Sequence, residues 1–204
     1  MIINSFNLVT VPSKADVLVE QGSKFIAYLK TTTTEEEVKA FLANLKTAHP
    51  DATHICYAYM LNPNNRTQKQ KYSDDKEPAG TAGAPLLNIL KTKNIGNACI
   101  AVVRYFGGTL LGTGGLSRAY TKADQEVIEV AKRNNALEVY NPRHLKSYFV
   151  AFSQVGQIEN LCHKLEIEIV RSDFEERGMA IDILATRDLL EQFDREWASL
   201  QHKA

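Results

Sequence analysis

The segments YSDDKEPAGTAGAPLL, residues Tyr72–Leu87, and RYFGGTLLGTGGLSRAY, residues Arg104–Tyr120, hold most of the glycine of this 204-residue chain. Eight of its 11 glycines lie between Tyr72 and Tyr120. Glycine at this density marks places where the main chain adopts conformations that a Cβ disfavours, or closely approaches another segment. Carboxylates, arginines and hydroxyls are interspersed among these glycines. We therefore expect the functional site in this region.

Outward from these segments, strands and helices alternate along the first 140 residues. Branched and aromatic runs predict strands at Lys24–Leu29, His54–Leu61 and Asn97–Phe106. Apolar residues at helical spacing predict three helices: one that begins with a capping box at Thr34 and Glu37, one over Ala82–Lys91, and one through Leu116–Val130 with Thr113 as its cap. The polar segment Pro63–Lys71 is typical of a surface loop.

The chain changes character at Asn141-Pro142, which is a turn signal. The segments that follow are a strand, a helix, two strands and a helix: Leu145–Phe152, Val155–Leu165, Ile167–Arg171, Met179–Ala185 and Asp188–Leu200. This βαββα order suits a small sandwich with helices on one face of an antiparallel sheet. We predict an α+β protein with two domains, residues 1–140 and 141–204.

Charge and composition narrow the class of protein. The formal net charge is zero, but residues 1–140 carry 16 Lys and Arg against 13 Asp and Glu, and residues 141–204 carry 8 against 11. The excess of positive charge in the first part hints at an anionic partner.

Residues Met1–Asp16 do not resemble a secretory signal and no apolar run is long enough to cross a bilayer, so we expect a cytoplasmic protein without membrane contact. The three cysteines (Cys56, Cys99, Cys162) are expected to be reduced core thiols.

The glycine-rich segment after the third predicted strand departs from two familiar nucleotide motifs. A P-loop requires Lys and then Ser or Thr after its last glycine, where this chain has Thr113-Gly114. The dinucleotide fingerprint requires a glycine at Ser117. A more general interpretation remains: backbone amides at the start of a helix bind an anion, aided by Arg118. The alternative is that the glycines only let two backbones touch. The candidate residues of this cradle are Gly107, Gly108, Gly112, Thr113, Gly114 and Gly115.

Acid–base chemistry has its own candidates: His54, Asp74, Asp75, Glu77 and Arg104. They would form an acid, base and anion-binding group if the strands that bear them are neighbours. The carboxylates could also hold Mg²⁺, but a solvated capping loop is the expected role, and we predict no metal or other cofactor. His54 and Cys56 are too few ligands for structural zinc. No local signature supports covalent catalysis.

The blocks GSKFIAYL, HICYAY, YSDDKEPAGTAGAPLL and VVRYFGGTLLGTGGLSRAY together resemble the signature of the IMPACT/YigZ family across residues 18–135. The resemblance implies a first domain with the fold shared by a ribosomal-protein domain and the fourth domain of elongation factor G. It also implies a ferredoxin-like second domain. The family commonly has arginine where this chain has Lys24, which alters any bidentate contact with an oxyanion there.

Together, residues and resemblance predict a translation-associated binding protein whose first domain contacts RNA or a ribosome-bound partner, without DNA specificity. The cations expected to contact phosphates are Lys24, Arg66, Lys69, Lys71, Arg104 and Arg118. One alternative is a small-molecule enzyme that acts on an anionic substrate held by the glycine-rich cradle. A surface that binds only another protein is a third possibility.

Overall fold

The computed structural model describes residues 5–63 and 67–201. Its contacts divide the chain into two compact units, Met1–Tyr140 and Asn141–Ala204. Each unit has its own apolar core.

The first unit combines short and long strands with three helices. In chain order its strands are β1 (Phe6–Val9), β2 (Ser13–Lys14), β3 (Leu18–Glu20), β4 (Ser23–Thr31), β5 (His54–Leu61), β6 (Lys69–Ser73), β7 (Ile95–Gly96), β8 (Ala98–Tyr105) and β9 (Leu137–Tyr140). Its helices are α1 (Glu35–Ala48), α2 (Gly83–Thr92) and α3 (Gly112–Arg133). The three predicted strands and three predicted helices correspond to β4, β5, β8 and α1, α2, α3.

Six antiparallel strands form the main sheet, in the order β2-β4-β8-β5-β6, with β3 also paired with β4. Strand β8 lies at the centre, and Ala98–Arg104 are all buried because helices cover both faces. Helix α1 packs on one face through Val38, Phe41 and Leu45, and helices α2 and α3 pack on the other. The antiparallel register places Arg104 opposite Phe25 on β4 and opposite His54 on β5. Three side chains from three strands therefore meet beneath α3.

Some local predictions for the first unit were wrong. Residues Lys69–Lys71, predicted as loop, begin strand β6, because their backbones pair with β5 despite their polar side chains. Thr113 does not cap α3: the cap position is Leu111, and Thr113 lies inside the helix. The cap of α1 at Thr34 is confirmed, since its hydroxyl accepts the Glu37 amide, but the Glu37 carboxylate accepts from Thr33 instead of Thr34.

Three short strands form a second sheet in the first unit, which the sequence did not predict. Strand β1 pairs in parallel with β7 and antiparallel with β9. Because β7 is two residues long and β1 is four, neither carries a periodic pattern.

The second unit has the predicted βαββα order. Its elements are β10 (Arg143–Val150), α4 (Val155–Lys164), β11 (Glu168–Glu175), β12 (Gly178–Thr186) and α5 (Arg187–Gln201). The three strands form an antiparallel sheet in the order β10-β12-β11. Ile158, Phe193 and Trp197 from the helices pack with Ile181 and Ile183 of β12. Within the described residues, no helix of either unit has the length and apolar character to cross a bilayer.

Candidate functional site: a buried polar cluster beside an exposed glycine loop

The acidic loop, residues 74–77, begins with a carboxylate that caps α2. One oxygen of Asp74 accepts hydrogen bonds from the amides of Ala82 (3.0 Å) and Gly83 (2.8 Å), and the other accepts from Gly80 (3.0 Å). Ala82, at the cap position, offers no side-chain acceptor of its own. A carboxylate at a helix N-terminus satisfies free amides and interacts favourably with the helix dipole. The Asp74 carboxylate is thus committed to the fold.

Asp75 joins the same loop to the start of β5. Its carboxylate accepts the Ile55 amide at 2.7 Å, and its backbone carbonyl accepts from Nδ1 of His54 at 2.7 Å. The positive φ angles of Asp75 (42°) and Lys76 (72°) produce the turn that allows both contacts. Because a carbonyl oxygen can only accept, Nδ1 of His54 is the donor and carries a proton. The other ring nitrogen, Nε2, lies on the opposite side of the ring from this hydrogen bond.

Glu77 lies at the centre of a buried polar cluster, which we define as His54, Cys56, Glu77, Arg104 and Tyr120. Oε1 of Glu77 accepts from Nη1 of Arg104 at 2.6 Å and from the Tyr120 hydroxyl at 2.8 Å. Nε2 of His54 lies 3.9 Å from the same oxygen. Glu77 and Arg104 are only 8% and 4% exposed, so this ion pair is shielded from water and depends on its hydrogen bonds.

Burial keeps the Cys56 thiol and the Tyr120 hydroxyl of the cluster neutral. It raises the pKa of the Cys56 thiol to about 12, and it raises the pKa of the Tyr120 hydroxyl as well. The Cys56 thiol donates to the Asp74 carbonyl at 3.0 Å and lies 3.3 Å from the Tyr120 hydroxyl. A thiol in these surroundings is a poor nucleophile, because the thiolate is the reactive form.

Arg104 is held between two aromatic rings. Its guanidinium carbon lies 5.4 Å from the centroid of Phe25 and 5.6 Å from that of Phe106. Nη2 donates to the Ser23 hydroxyl at 3.2 Å, whereas Nε has no partner among the described residues. Both terminal nitrogens of Arg104 are therefore engaged inside the protein.

Gly107 marks a contact between two backbones. A Cβ at Gly107 would overlap the Gly22 carbonyl group and the Ser23 nitrogen. The Gly107 amide also donates to the Ser23 hydroxyl at 3.2 Å. At this position the structural explanation for glycine is sufficient: the β3–β4 turn and the end of β8 touch through their main chains. Gly108 and Gly112 have positive φ angles, 87° and 68°, that reverse the chain before α3.

We call residues 107–115 the glycine loop. Beyond Gly107, most of this loop is exposed to solvent. Gly112, Thr113 and Gly114 are exposed at the start of α3, where amides have no partner within the helix. Arg118 and Lys122 stand one turn apart on the exposed side of α3 and line a groove of about 240 Å³ with Glu20 and Gln21. On the other side of the Gly22–Gly107 contact, Lys24 lines a second groove of about 430 Å³. We call Lys24, Arg118 and Lys122 the basic rim.

The structure gathers some predicted site residues and separates others. His54, Glu77 and Arg104 converge. Lys69 and Lys71 lie on edge strand β6, and the Lys69 ammonium donates to Glu35 at 2.9 Å. Arg66 lies outside the described residues. Within residues 5–63 and 67–201, no three His, Cys, Asp or Glu side chains form a metal-binding group.

Sequence reasoning missed four residues of this region: Ser23, Phe106, Tyr120 and Lys122. Tyr120 matched the apolar face of α3, and nothing in its spacing indicated that its hydroxyl reaches Glu77. Lys122, by contrast, follows Arg118 by four residues and so shares its helix face.

The architecture and the site define a class: an α+β protein of two compact units whose first unit encloses a buried ion pair beside an exposed glycine loop. The family model of the Impact N-terminal domain matches residues 21–128 of this chain. The chain belongs to the IMPACT family.

Relatives in two bacteria cover most of the chain. An IMPACT family member of Haemophilus influenzae is 38% identical over 81% of this chain and 79% of its own length. IMPACT family member YigZ of Escherichia coli is 35% identical over 81% of this chain and 80% of its own length.

Among solved structures, the crystal structure of a hypothetical protein covers 98% of this chain and 94% of that one, with 30% identity and a TM-score of 0.65. The structure of the two-domain translational regulator Yih1 covers 58% of this chain and 46% of that chain, with 26% identity and a TM-score of 0.42.

Proposed function

We propose that this protein is a cytoplasmic, translation-associated RNA-binding protein, and that the basic rim and the glycine loop of its first unit contact the RNA backbone. The observation that carries the proposal is the contrast in how charge is placed. The carboxylates of Asp74, Asp75 and Glu77 accept hydrogen bonds from the protein itself. Lys24, Arg118 and Lys122 are exposed, and none forms an ion pair with a described residue.

The glycine loop adds a second way to hold phosphate. Gly112 and Gly114 leave the first amides of α3 open to solvent, and the positive end of the helix dipole favours an anion there. Arg118 and Lys122 continue along the same helix. A nucleic-acid backbone that crosses this end of α3 would meet amides first and cationic side chains next.

Family membership supports the link to translation. The match to the solved structure of the translational regulator Yih1, with a TM-score of 0.42, is too weak to support an assignment to translation. The proposal therefore depends on the chemistry of the basic rim. A ribosome-bound protein is the alternative partner within the same function.

The convergence of His54, Glu77 and Arg104 favours a second candidate, an enzyme acting on a small anion. Against it, Glu77 and Arg104 are buried and already paired. A thermal-shift screen with nucleotides and sugar phosphates, with and without Mg²⁺, separates the two. A ligand that stabilises the wild type but neither Asp75→Asn nor Gly114→Val would favour the enzyme.

The direct test is the binding of fluorescent RNA at low salt, followed by fluorescence anisotropy, together with co-sedimentation with purified ribosomes. We expect binding that weakens as salt rises, because each phosphate contact releases counterions. As a control for charge outside the basic rim, Lys39→Gln/Lys46→Gln removes two exposed lysines from α1. This variant should bind RNA like the wild type. Absence of affinity for both RNA and ribosomes at low salt would refute the proposal.

A further inference from the structure

Phe106, the residue after β8, is an aromatic side chain that is 45% exposed at the edge of the first unit. Large apolar side chains are often exposed singly without consequence. Phe106 differs from such residues because its surroundings fix it in place.

Three contacts hold this ring and its backbone. The Phe106 amide donates to the Thr53 hydroxyl at 3.0 Å, and the next residue, Gly107, is in backbone contact with Gly22. Beneath the ring, the buried Arg104 guanidinium lies 5.6 Å from the centroid and is itself fixed by Glu77 and Ser23. A side chain ordered before binding loses little conformational entropy when a partner arrives.

Phe106 is one of the residues that line the groove that contains Lys24. Val17, Gly22, Ile26 and Tyr105 complete its lining, and its volume is about 430 Å³. The groove is largely apolar and carries one cation. An apolar, aromatic surface next to a single positive charge matches the two parts of an unpaired nucleotide, the flat base and the phosphate.

We propose that Phe106 is a stacking platform for an unpaired base of single-stranded RNA, with Lys24 contacting the adjacent phosphate. This inference rests on the proposed function and specifies its ligand. A duplex does not fit the platform, because its bases are already stacked on one another. We expect the rest of the RNA strand to cross the β3–β4 turn toward Arg118 and Lys122, which line the other groove.

The test compares wild type, Phe106→Ala, Phe106→Leu and Phe106→Trp with a labelled single-stranded RNA about twelve nucleotides long and with the corresponding duplex. Loss of the ring in the Ala and Leu variants should weaken single-strand binding about 10–100-fold. Duplex binding and the salt dependence of single-strand binding should not change, because no phosphate contact is lost. Phe106→Trp should retain affinity.

The tryptophan variant gives an independent readout. The chain has one native tryptophan, Trp197 in the second unit. Fluorescence of a tryptophan at position 106 should be quenched by RNA that stacks on it, whereas Trp197 should not respond. Phe149→Ala, which removes a 57% exposed aromatic from the second unit, is the matched control and should bind like the wild type.

The outcomes distinguish this inference from the proposed function. If wild-type protein binds neither single-stranded RNA nor ribosomes, the proposed function fails. If the wild type binds single-stranded RNA but folded Phe106→Leu and Phe106→Ala bind it equally well, the platform is refuted and the function stands. Loss of ribosome binding in these variants with unchanged RNA affinity would assign the groove to a protein partner and refute the inference.

Discussion

The acidic loop and the glycine loop both flank the main sheet of the first unit, yet they dispose their polar groups in opposite directions. The carboxylates of the acidic loop are bonded to α2, to β5 and to Arg104. The glycine loop touches the protein at Gly107 and then exposes Gly112–Gly114 and the adjacent basic rim. Charged residues of the same unit therefore differ in role: those directed inward stabilise the fold, and those directed outward remain available for a ligand.

The largest expected effect on stability comes from changing a carboxylate that is directed into the protein. Glu77→Ala leaves Arg104 buried without its partner, and we expect it to lower the free energy of unfolding by about 3–5 kcal/mol. Chemical denaturation monitored by circular dichroism measures the change. A loss below 1 kcal/mol would show that the ion pair is not needed for stability.

Apolar replacement sharpens the same point. Glu77→Leu combined with Arg104→Met removes both charges and fills similar volume, so it should recover much of the stability lost by Glu77→Ala. If the double variant retains RNA affinity, the cluster has a structural role and no direct role in binding.

The next largest effect separates the two parts of the glycine loop. Gly107→Ala forces a Cβ into the Gly22 backbone and should cost about 1–3 kcal/mol or more. Gly114→Ala, whose Cβ would meet only Nη1 of Arg118 at 3.4 Å, should be neutral or stabilising by up to about 1 kcal/mol. Thermal melts of the pair provide the comparison. Equal losses would contradict the division into a contact end and an exposed end.

A third prediction concerns a buried carboxyl without the partners that Glu77 has. Asp124 on α3 is fully buried, and neither of its oxygens has a hydrogen-bond partner among the described residues. Burial raises the pKa of Asp124 well above its ordinary value. The folded state therefore holds this proton where the unfolded chain releases it, so stability is lost as pH rises from the ordinary pKa toward the folded pKa.

Asp124→Asn, which cannot ionise, should be more stable than the wild type by about 1–2 kcal/mol at pH 8 and should show little advantage near pH 4. Urea unfolding at several pH values measures this. An advantage that does not change with pH would mean that Asp124 is not titrating in this range.

The smallest effect on stability is expected on the outward side. The variant Lys24→Gln/Arg118→Gln/Lys122→Gln should change the free energy of unfolding by less than about 0.5 kcal/mol, because its three positions are exposed and have no ion-pair partners to lose. A larger loss in a thermal melt would show that the basic rim also supports the fold.

The sequence predicted long periodic elements well and the site only in outline. Strand β5 was predicted at its observed bounds, His54–Leu61, because eight consecutive residues are mostly apolar and bounded by turns. Strand β6 was missed, since its exposed side chains carry no pattern and its pairing with β5 depends on the neighbouring strand alone.

The interactions of the site require the register of three strands. His54, Arg104 and Phe25 become neighbours only when β5, β8 and β4 pair in the observed alignment. Likewise, the role of Tyr120 depends on how α3 crosses the sheet. Residue types and spacing identified the acidic loop and the glycine loop as important. Whether their polar groups point into the protein or toward solvent depends on tertiary packing.

The most direct test of the central claim is the salt dependence of single-stranded RNA binding in the wild type and in Lys24→Gln/Arg118→Gln/Lys122→Gln. Lys39→Gln/Lys46→Gln/Lys91→Gln, which removes equal charge from exposed positions of α1 and α2, is the control. If three phosphates contact the basic rim, the slope of log binding constant against log salt should become shallower by about 2 in the rim variant and stay unchanged in the control. Equal slopes in the rim variant and the wild type would contradict the account.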